Sequence, residues 1–367
     1  MTDPAILSIN PGTTTTRCAL FAVNGAQVTP LAEEVLDHDD TVMARFSAIA
    51  DQLEFRAGRV AGFLDRHLGA RRLVACAGRG GMLTPVPSGV IAVNDALVDF
   101  ALHRPVYHHA SNLGAPLAHR IAQAHDVPSY VVDPVSVDEL PPVARLSGVE
   151  DLPRFSFVHA LNIRACGRRL AADLGKPFDE IRAVVAHLGA GFSIAALLGG
   201  RLVDSSNRME ISPFTPERAG GLPPLPLIEL CYSGKYSKEA LLKRLYGQGG
   251  VYGYLGTRDM RRVEKMIEDG NERARLIHDA MLYQVGKAIG AMAAVAGFDL
   301  DAIVLTGGLT HSARVADTLR ARTRALAPLH VYPGSDECLA LAQGAARVLA
   351  GQEAPLTWPV TPPRQVA

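Results

Sequence analysis

The chain alternates short apolar runs with polar, glycine-bearing turns, and two of these alternations match. In the first, Ile6-Leu7-Ser8-Ile9 leads into Asn10-Pro11-Gly12-Thr13-Thr14-Thr15-Thr16-Arg17, and Cys18-Ala19-Leu20-Phe21-Ala22-Val23 comes next. In the second, Ala183-Val184-Val185-Ala186 leads into His187-Leu188-Gly189-Ala190-Gly191-Phe192-Ser193, and Ile194-Ala195-Ala196-Leu197-Leu198 comes next. Each reads as strand, polar turn, strand. Each copy then turns again, at Asn24-Gly25 and at Gly199-Gly200. The first turn combines one glycine, four hydroxyls, an amide and a cation. Backbone N–H groups and hydroxyls at that density suit an oxyanion such as phosphate. Two matched strand–loop–strand units point to a duplicated nucleotide-binding core with a cleft between its halves.

The rest of the pattern is α/β. Residues 42–68 have helical spacing, and Arg72-Leu73-Val74-Ala75-Cys76-Ala77 is predicted as a strand before the sharp turn Gly78-Arg79-Gly80-Gly81. Pro85 and Pro87 break the chain just beyond that turn. A helix is predicted over 112–124, with Ser111 or Asn112 as its N-cap, and a strand over 129–133 that ends on the carboxylate of Asp133. Residues 272–295 read as one long helix. Its apolar stripe, Ala274, Ile277, Met281, Val285, Ala288, Met292 and Val295, belongs in a core rather than a ligand site. A strand over 301–306 ends in Gly307-Gly308, and a helix over 338–349 closes the fold. Composition turns proline-rich and polar between 140 and 153, which sets a boundary there. The four prolines of 354–367 indicate an irregular or frayed end.

The length of 367 residues fits two domains. Lys+Arg and Asp+Glu both total 37, so no global field recruits nucleic acid or an anionic membrane. The start, Met1-Thr2-Asp3-Pro4, is acidic and runs straight into a strand, so no signal peptide is expected. No apolar run reaches the roughly 18 residues a membrane helix needs. Cys18, Cys76, Cys166, Cys231 and Cys338 are odd in number and widely spaced. They form neither a metal pattern nor a disulfide framework, and read as small buried hydrophobes in a reducing cytoplasm.

Three loops at predicted strand ends carry the candidate chemistry: 10–17, 187–191 and Thr306-Gly307-Gly308-Leu309-Thr310-His311-Ser312. One such turn alone often satisfies nothing more than tight backbone geometry. Three together fit the rule that ligands of α/β sheets bind at the carboxyl ends of strands. Arg79 and Arg218 sit in rigid Gly- and Pro-bearing turns, either as surface cations or as planar forks for carboxylate or phosphate. His187 ends a strand, as a structural hydrogen-bonding group or as a catalytic donor. Asp133 and Glu337 either cap the adjoining turn or helix or hold Mg²⁺, which keeps several waters and takes one or two carboxylates beside a nucleotide.

Ten stretches resemble the acetate kinase family, and most closely its butyrate kinase branch, across 6–349. They begin with Ile9-Asn10-Pro11-Gly12-Thr13, Gly78-Arg79-Gly80-Gly81 and His109-Ala110-Ser111-Asn112-Leu113-Gly114-Ala115. The next are Val132-Asp133-Pro134-Val135 with Asp138-Glu139-Leu140, His159-Ala160-Leu161-Asn162 and Ala186-His187-Leu188-Gly189. Then come Pro213-Phe214-Thr215-Pro216-Glu217-Arg218, Tyr254-Leu255-Gly256-Thr257, Leu305-Thr306-Gly307-Gly308 and Tyr332-Pro333-Gly334-Ser335-Asp336-Glu337. The resemblance implies two duplicated actin/sugar-kinase-like (ribonuclease H-like) domains around an ATP cleft. The first would cover 1–152, with the 338–350 helix packing back on it, and the second 153–337, with the nucleotide pocket.

The activity so implied is reversible transfer of the γ-phosphoryl of ATP to a short- or branched-chain aliphatic carboxylate such as butyrate, chiefly by positioning and charge neutralisation. By this resemblance Arg79 binds the carboxylate, Arg218 the equatorial phosphoryl oxygens, and His187 adds a donor. Asp133 and Glu337 hold Mg²⁺ or its waters, with Asn10 beside the metal. Asn10, Thr13, Thr15 and Arg17, together with Gly189 and Gly191, contact phosphate. Asp259 and Arg261 lie near the nucleoside, and Gly307 and Gly308 under the base. Met82, Leu83 and Val86 are candidate apolar lining for the acyl chain, or core. The partners are a carboxylate and ADP or ATP, with a homodimer or higher homo-oligomer expected from the family. The chain also departs from the family. Arg17 replaces a lysine, Thr13 to Thr16 replace mostly serines, Ala190 replaces the middle residue of the second loop, and 204–212 replaces a stretch rich in Asn, Asp, Gly and Glu. Those departures leave open a kinase for another carboxylate, such as acetate or propionate, and a nucleotide-binding relative that has lost catalysis.

Overall fold

A computed structural model describes residues 3–206 and 212–360. The chain forms two compact units. One joins Met1–Glu139, His159–Asn162 and Asp336–Ala367, and the other joins Leu140–Val158 and Ile163–Ser335.

In the first unit the apolar runs become β1 (Pro4–Pro11), β2 (Thr15–Asn24), β3 (Gln27–Asp37), β4 (Arg72–Arg79), β5 (Val90–Ala92) and β6 (Ser129–Val132). With an edge strand at Leu356–Thr357 they form one sheet, in the order edge-β5-β6-β4-β1-β2-β3. β1, β2 and β3 run antiparallel, while β4 pairs parallel to β1 and β6 parallel to β4. β1 is apolar on both faces because both are covered: Ile6, Leu7 and Ile9 are fully buried. Leu7, Ile9, Cys18 and Leu20 pack with Val60, Phe63 and Leu64 of the Leu53–His67 helix and Leu117 and Ile121 of the Gly114–Ala124 helix. The Glu337–Leu349 helix packs on β1, β2, β3, β4 and β6.

In the second unit β7 (Arg182–Leu188), β8 (Phe192–Leu198), β9 (Arg201–Ser206), β10 (Ala302–Gly307) and β11 (Leu329–Pro333) form a sheet in the order β11-β10-β7-β8-β9. Again the first three are antiparallel, with the next two added parallel. The order and directions of β3-β2-β1-β4-β6 are thus repeated by β9-β8-β7-β10-β11, which is the duplication expected from the matched loops. The Glu272–Val295 helix buries Met281, Leu282, Val285 and Ile289 against Val184, Ala186 and Ile194. Its stripe ends at Met292. Val295 is 41% exposed in the last turn, where the helix runs out beyond the core.

Several expectations are corrected. Residues 42–68 are not one helix. Asp39 caps a single turn, Asp40–Met43, by accepting from the Thr41 amide at 2.7 Å, and Asp51 accepts from the Ala48 amide at 2.9 Å. The Asp51 bond competes with helix propagation, and the long helix starts only at Leu53. The predicted 112–124 helix starts at Gly114 without a side-chain cap: His109 caps a 3₁₀ turn, Ala110–Leu113, its Nδ1 accepting from Ser111 N, and the Asn112 side chain accepts from the Met82 amide at 2.8 Å. The tail is ordered in part: Leu356 and Thr357 pair with β5, and Trp358 is buried against Phe100. Its remainder, 361–367, lies outside the described residues. Cys231 is exposed, unlike the other four cysteines. No helix among the described residues is long and apolar enough to cross a membrane.

Gly344 sits where the Glu337–Leu349 helix meets β6. A Cβ there would lie 2.5 Å from Val132 Cγ2 and 2.6 Å from Cγ1. Gly344→Leu should therefore cost about 1–3 kcal/mol through overpacking. Urea unfolding checks this, and a variant as stable as the parent would show that the helix can shift freely.

Candidate functional site

The first loop is short. Asn10 and Arg17 are direct ladder partners, as are Pro11 and Thr16, so the turn is only Gly12, Thr13 and Thr14. It is braced from below by Arg56, which has no exposed surface. Arg56 Nη1 donates to Gly12 O at 3.0 Å, Thr15 O at 2.8 Å and Thr16 Oγ1 at 3.0 Å, and Nη2 to Thr13 O at 2.9 Å. Nε donates to Gln52 Oε1 at 3.0 Å. Burial lowers the Arg56 pKa to about 10, which still leaves it charged at neutral pH. With the loop carbonyls turned inward, Thr13 and Thr14 are exposed. Among the described residues no group accepts from their amides. Those amides and hydroxyls are what the loop can offer an anion. Thr16 Oγ1 also bonds His38 Nε2 at 2.8 Å.

Parallel pairing of β1 and β4 sets Asn10 beside Arg79, and the first residue of the Glu337–Leu349 helix joins them. Glu337 Oε2 accepts from Asn10 Nδ2 at 2.6 Å and from Arg79 Nη1 at 2.7 Å, and Arg79 Nη1 lies 3.3 Å from Asn10 Oδ1. Asp133 comes just after β6, with a φ of 39°. Its Oδ1 accepts from Gly89 N at 2.8 Å, while its own amide donates to Gly89 O at 2.9 Å. A narrow crevice runs past Arg79, Asp133 and Glu337, walled by Pro134, Val135, Ala160 and Leu161. No group of three or more His, Cys, Asp or Glu among the described residues could cage a metal. The two carboxylates of the crevice suit Mg²⁺ only in the form that keeps its waters and leans on nucleotide phosphates.

In the second unit His187 is the buried penultimate residue of β7, paired with Thr306 and Ser193. A Cβ on Gly189 would lie 3.2 Å from His187 Nε2, so the imidazole sits directly against the loop. A Cβ on Gly191 would overlap the Arg218 guanidinium, so the cation is pressed against the same turn. The turn that carries Arg218 is closed by Thr215 N to Arg218 O at 3.0 Å. Thr215 Oγ1 accepts from the amides of Glu217 and Arg218 and donates to Ala190 O at 2.9 Å. Gly307, at a φ of 93°, lets β10 end against the Leu188 carbonyl, where any Cβ would clash. His187, Gly189, Gly191, Arg218 and Gly307 therefore converge. Gly308 opens a single 3₁₀ turn to His311.

Other candidates lie elsewhere. Arg17 pairs with Glu33 at 3.2 Å across neighbouring strands. Asp259 caps the Met260–Glu268 helix and pairs with Arg261 at 2.9 Å on the surface, an arrangement that lowers the Asp259 pKa through that bond. Met82, Leu83 and Val86 are core: Val86 bridges Val137, and none of the three lines the crevice at Arg79. Of 204–212, Asp204 pairs with Arg154 at 2.7 Å, while 207–211 lie outside the described residues. Arg56, His38 and Thr215 were missed. Arg56 had a signal, since it stands four before Val60 and seven before Phe63, on the buried stripe of its helix.

A protein-family model described as the acetokinase family matches residues 152–353, more than half of the 367 residues. The chain belongs to the acetokinase family. Solved structures support the fold of this acetokinase-family chain. Porphyromonas gingivalis acetate kinase gives a TM-score of 0.74 at 19% identity, over 94% of this chain and 100% of that one. A propionate kinase from Francisella tularensis subsp. tularensis SCHU S4 gives 0.72 at 20%, over 94% and 99%. A ROK hexokinase from Thermus thermophilus gives 0.52 at 15%, over 95% and 99%. The two mixed sheets of this acetokinase-family chain are thus of the actin/sugar-kinase type.

Burial and the nearby Arg56 and Arg59 charges lower the His38 pKa from 6.5 to about 4. The unfolded chain then binds more protons between those values, so stability is complete above pH 6.5 and falls as pH drops towards 4. The loss attributable to His38 is on the order of 3 kcal/mol. Melting curves from pH 7 to 4 should show it, and His38→Gln should flatten the slope. An unchanged slope would remove His38 from the account.

Proposed function

We propose that this chain transfers the γ-phosphoryl group of ATP to the carboxylate of a short- or branched-chain aliphatic acid, in the manner of the butyrate kinase branch of its family. One observation carries the reading most directly. The Arg218 guanidinium is packed onto Gly191 of a strand–loop–strand turn whose Gly189 lies against His187. A fixed cation and an imidazole flanking one backbone loop suit a phosphoryl group gaining charge on its equatorial oxygens.

In the step, a carboxylate oxygen bonds to the γ-phosphorus as the bond from that phosphorus to the β,γ-bridging oxygen breaks. ADP leaves with the electron pair, and the product is an acyl phosphate. Arg218 neutralises the equatorial oxygens and His187 donates to them. In the first unit Arg79 binds the carboxylate, held in place by Glu337. Thr13 and Thr15 meet phosphate through the loop that Arg56 braces, and Asp133 and Glu337, with Asn10 beside them, would hold Mg²⁺ directly or through water. When bound, the metal supplies charge neutralisation at the phosphate oxygens.

Arg218→Ala should lower kcat by about 10²–10³ while leaving the melting temperature nearly unchanged. Activity within a few-fold of wild type would reject the role. Butyrate or isobutyrate should exceed acetate in kcat/KM by at least about tenfold. In a coupled ADP assay with a carboxylate panel, preference for acetate would move the chain to the acetate or propionate reading.

A further inference from the structure

The turn that carries Arg218 contains a hydroxyl with every hydrogen-bonding capacity in use. Thr215 is 2% exposed. A threonine hydroxyl has one donor and two acceptor sites. Thr215 Oγ1 accepts from the Glu217 amide at 3.3 Å and the Arg218 amide at 3.1 Å, and donates to Ala190 O at 2.9 Å. The first two bonds alone make a local turn of a kind that Ser and Thr often form. The third reaches 25 positions back along the chain, into the loop between β7 and β8. The Thr215 backbone is held as well. Its N–H donates to Arg218 O at 3.0 Å, and its carbonyl accepts from the Val251 amide at 3.1 Å.

The bond to Ala190 also orients the next amide. The Ala190 carbonyl and the Gly191 N–H belong to one trans peptide unit, in which they point in opposite directions. Fixing Ala190 O on Thr215 therefore turns the Gly191 N–H away from Thr215. Gly191 is buried, and among the described residues no group accepts from its amide. Buried backbone N–H groups are nearly always paired, so this one is a donor kept for a ligand. The Arg218 guanidinium lies against the same residue, where a Cβ on Gly191 would come 2.3 Å from Nη1. We infer that Thr215 is a positioning residue, whose one hydroxyl aims both the Gly191 N–H and Arg218 at the phosphoryl group being transferred. The inference rests on the carboxylate kinase reading and concerns donors of the second unit only. Donors speed such a step when they already point at the oxygens on which charge develops. Thr215 supplies that order without touching the substrate: it holds the loop by a carbonyl and the cation by its backbone.

The test is steady-state kinetics on the whole protein with Mg-ATP and the best acid of the carboxylate panel. Wild type is compared with Thr215→Val, Thr215→Ala and Thr215→Ser, each well below its melting temperature. A slightly misplaced group costs up to about 10² in rate. Both hydroxyl-free variants should lose kcat at least about tenfold, with KM for Mg-ATP within about threefold of wild type. Thr215→Ser keeps the hydroxyl and should keep kcat within about threefold. In an Arg218→Ala background Thr215→Val should cost several-fold less than it does alone, because one of the groups it aims is gone. Two hydroxyl-free variants of different shape are used so that a folding defect in one does not decide the outcome. Wild-type kcat in a folded hydroxyl-free variant, a serine variant as slow as the valine one, or losses that simply multiply in the double variant would overturn the positioning role and leave the carboxylate kinase standing. No turnover of any acid by wild type would instead reject the carboxylate kinase reading, and this inference with it.

Discussion

A guanidinium with no exposed surface must place its donors inside the protein, and Arg56 places most of them on one loop. Gly12, Thr13 and Thr15 each present a backbone carbonyl to it. A three-residue turn would otherwise be free to aim its carbonyls outward, where they would repel an anion. With the carbonyls held inward, the opposite side of the turn is left with N–H groups and hydroxyls. The cation is buried, but it is compensated by dipoles rather than by a carboxylate. This arrangement keeps the loop region positive, which a phosphate site needs.

The second unit solves the same problem differently. Its loop joins the same pair of strands in the same sheet order, yet its tether is a threonine. Thr215 donates to Ala190 O, and Arg218 presses from the side. The repeated scaffold therefore sets where the two loops stand in their sheets, and unrelated side chains set their shape. Strand ends obey the same logic. Arg79 follows the β4 residue paired with Ile9, and Thr306 is the β10 residue paired with His187, so one duplicated position carries a charge in one unit and a hydroxyl in the other.

How far all this was visible in the sequence depends on the distance over which each feature is determined. The loops at Gly12 and Gly189 were legible because strand, turn and strand are contiguous. The Glu272–Val295 helix was legible because its stripe spans six turns. The meeting of Asn10, Arg79 and Glu337 needed a family resemblance, since hydrogen bonds there join residues 327 and 258 positions apart. Residues 42–68 misled because apolar spacing ignores the aspartates that interrupt it. Arg56 was overlooked because a charged residue in an amphipathic helix is assumed to face water, although its register said otherwise. The acyl lining was sought next to Arg79 in sequence, where the structure has only core.

The helix that begins at Glu337 packs closely on β6 at Gly344, seven residues on. At 1.5 Å per residue the two are separated by about 10 Å. A helix of that length behaves as a stiff beam, with Gly344 as the fulcrum and the carboxylate of Glu337 at the free end. A small tilt at the fulcrum is delivered to the Asn10 and Arg79 contacts as a displacement of comparable or larger size. Side-chain volume at a buried glycine far from any ligand is in this way linked to the aim of an acidic group. Drift at that position would be felt at the Asn10 and Arg79 contacts as well as in stability.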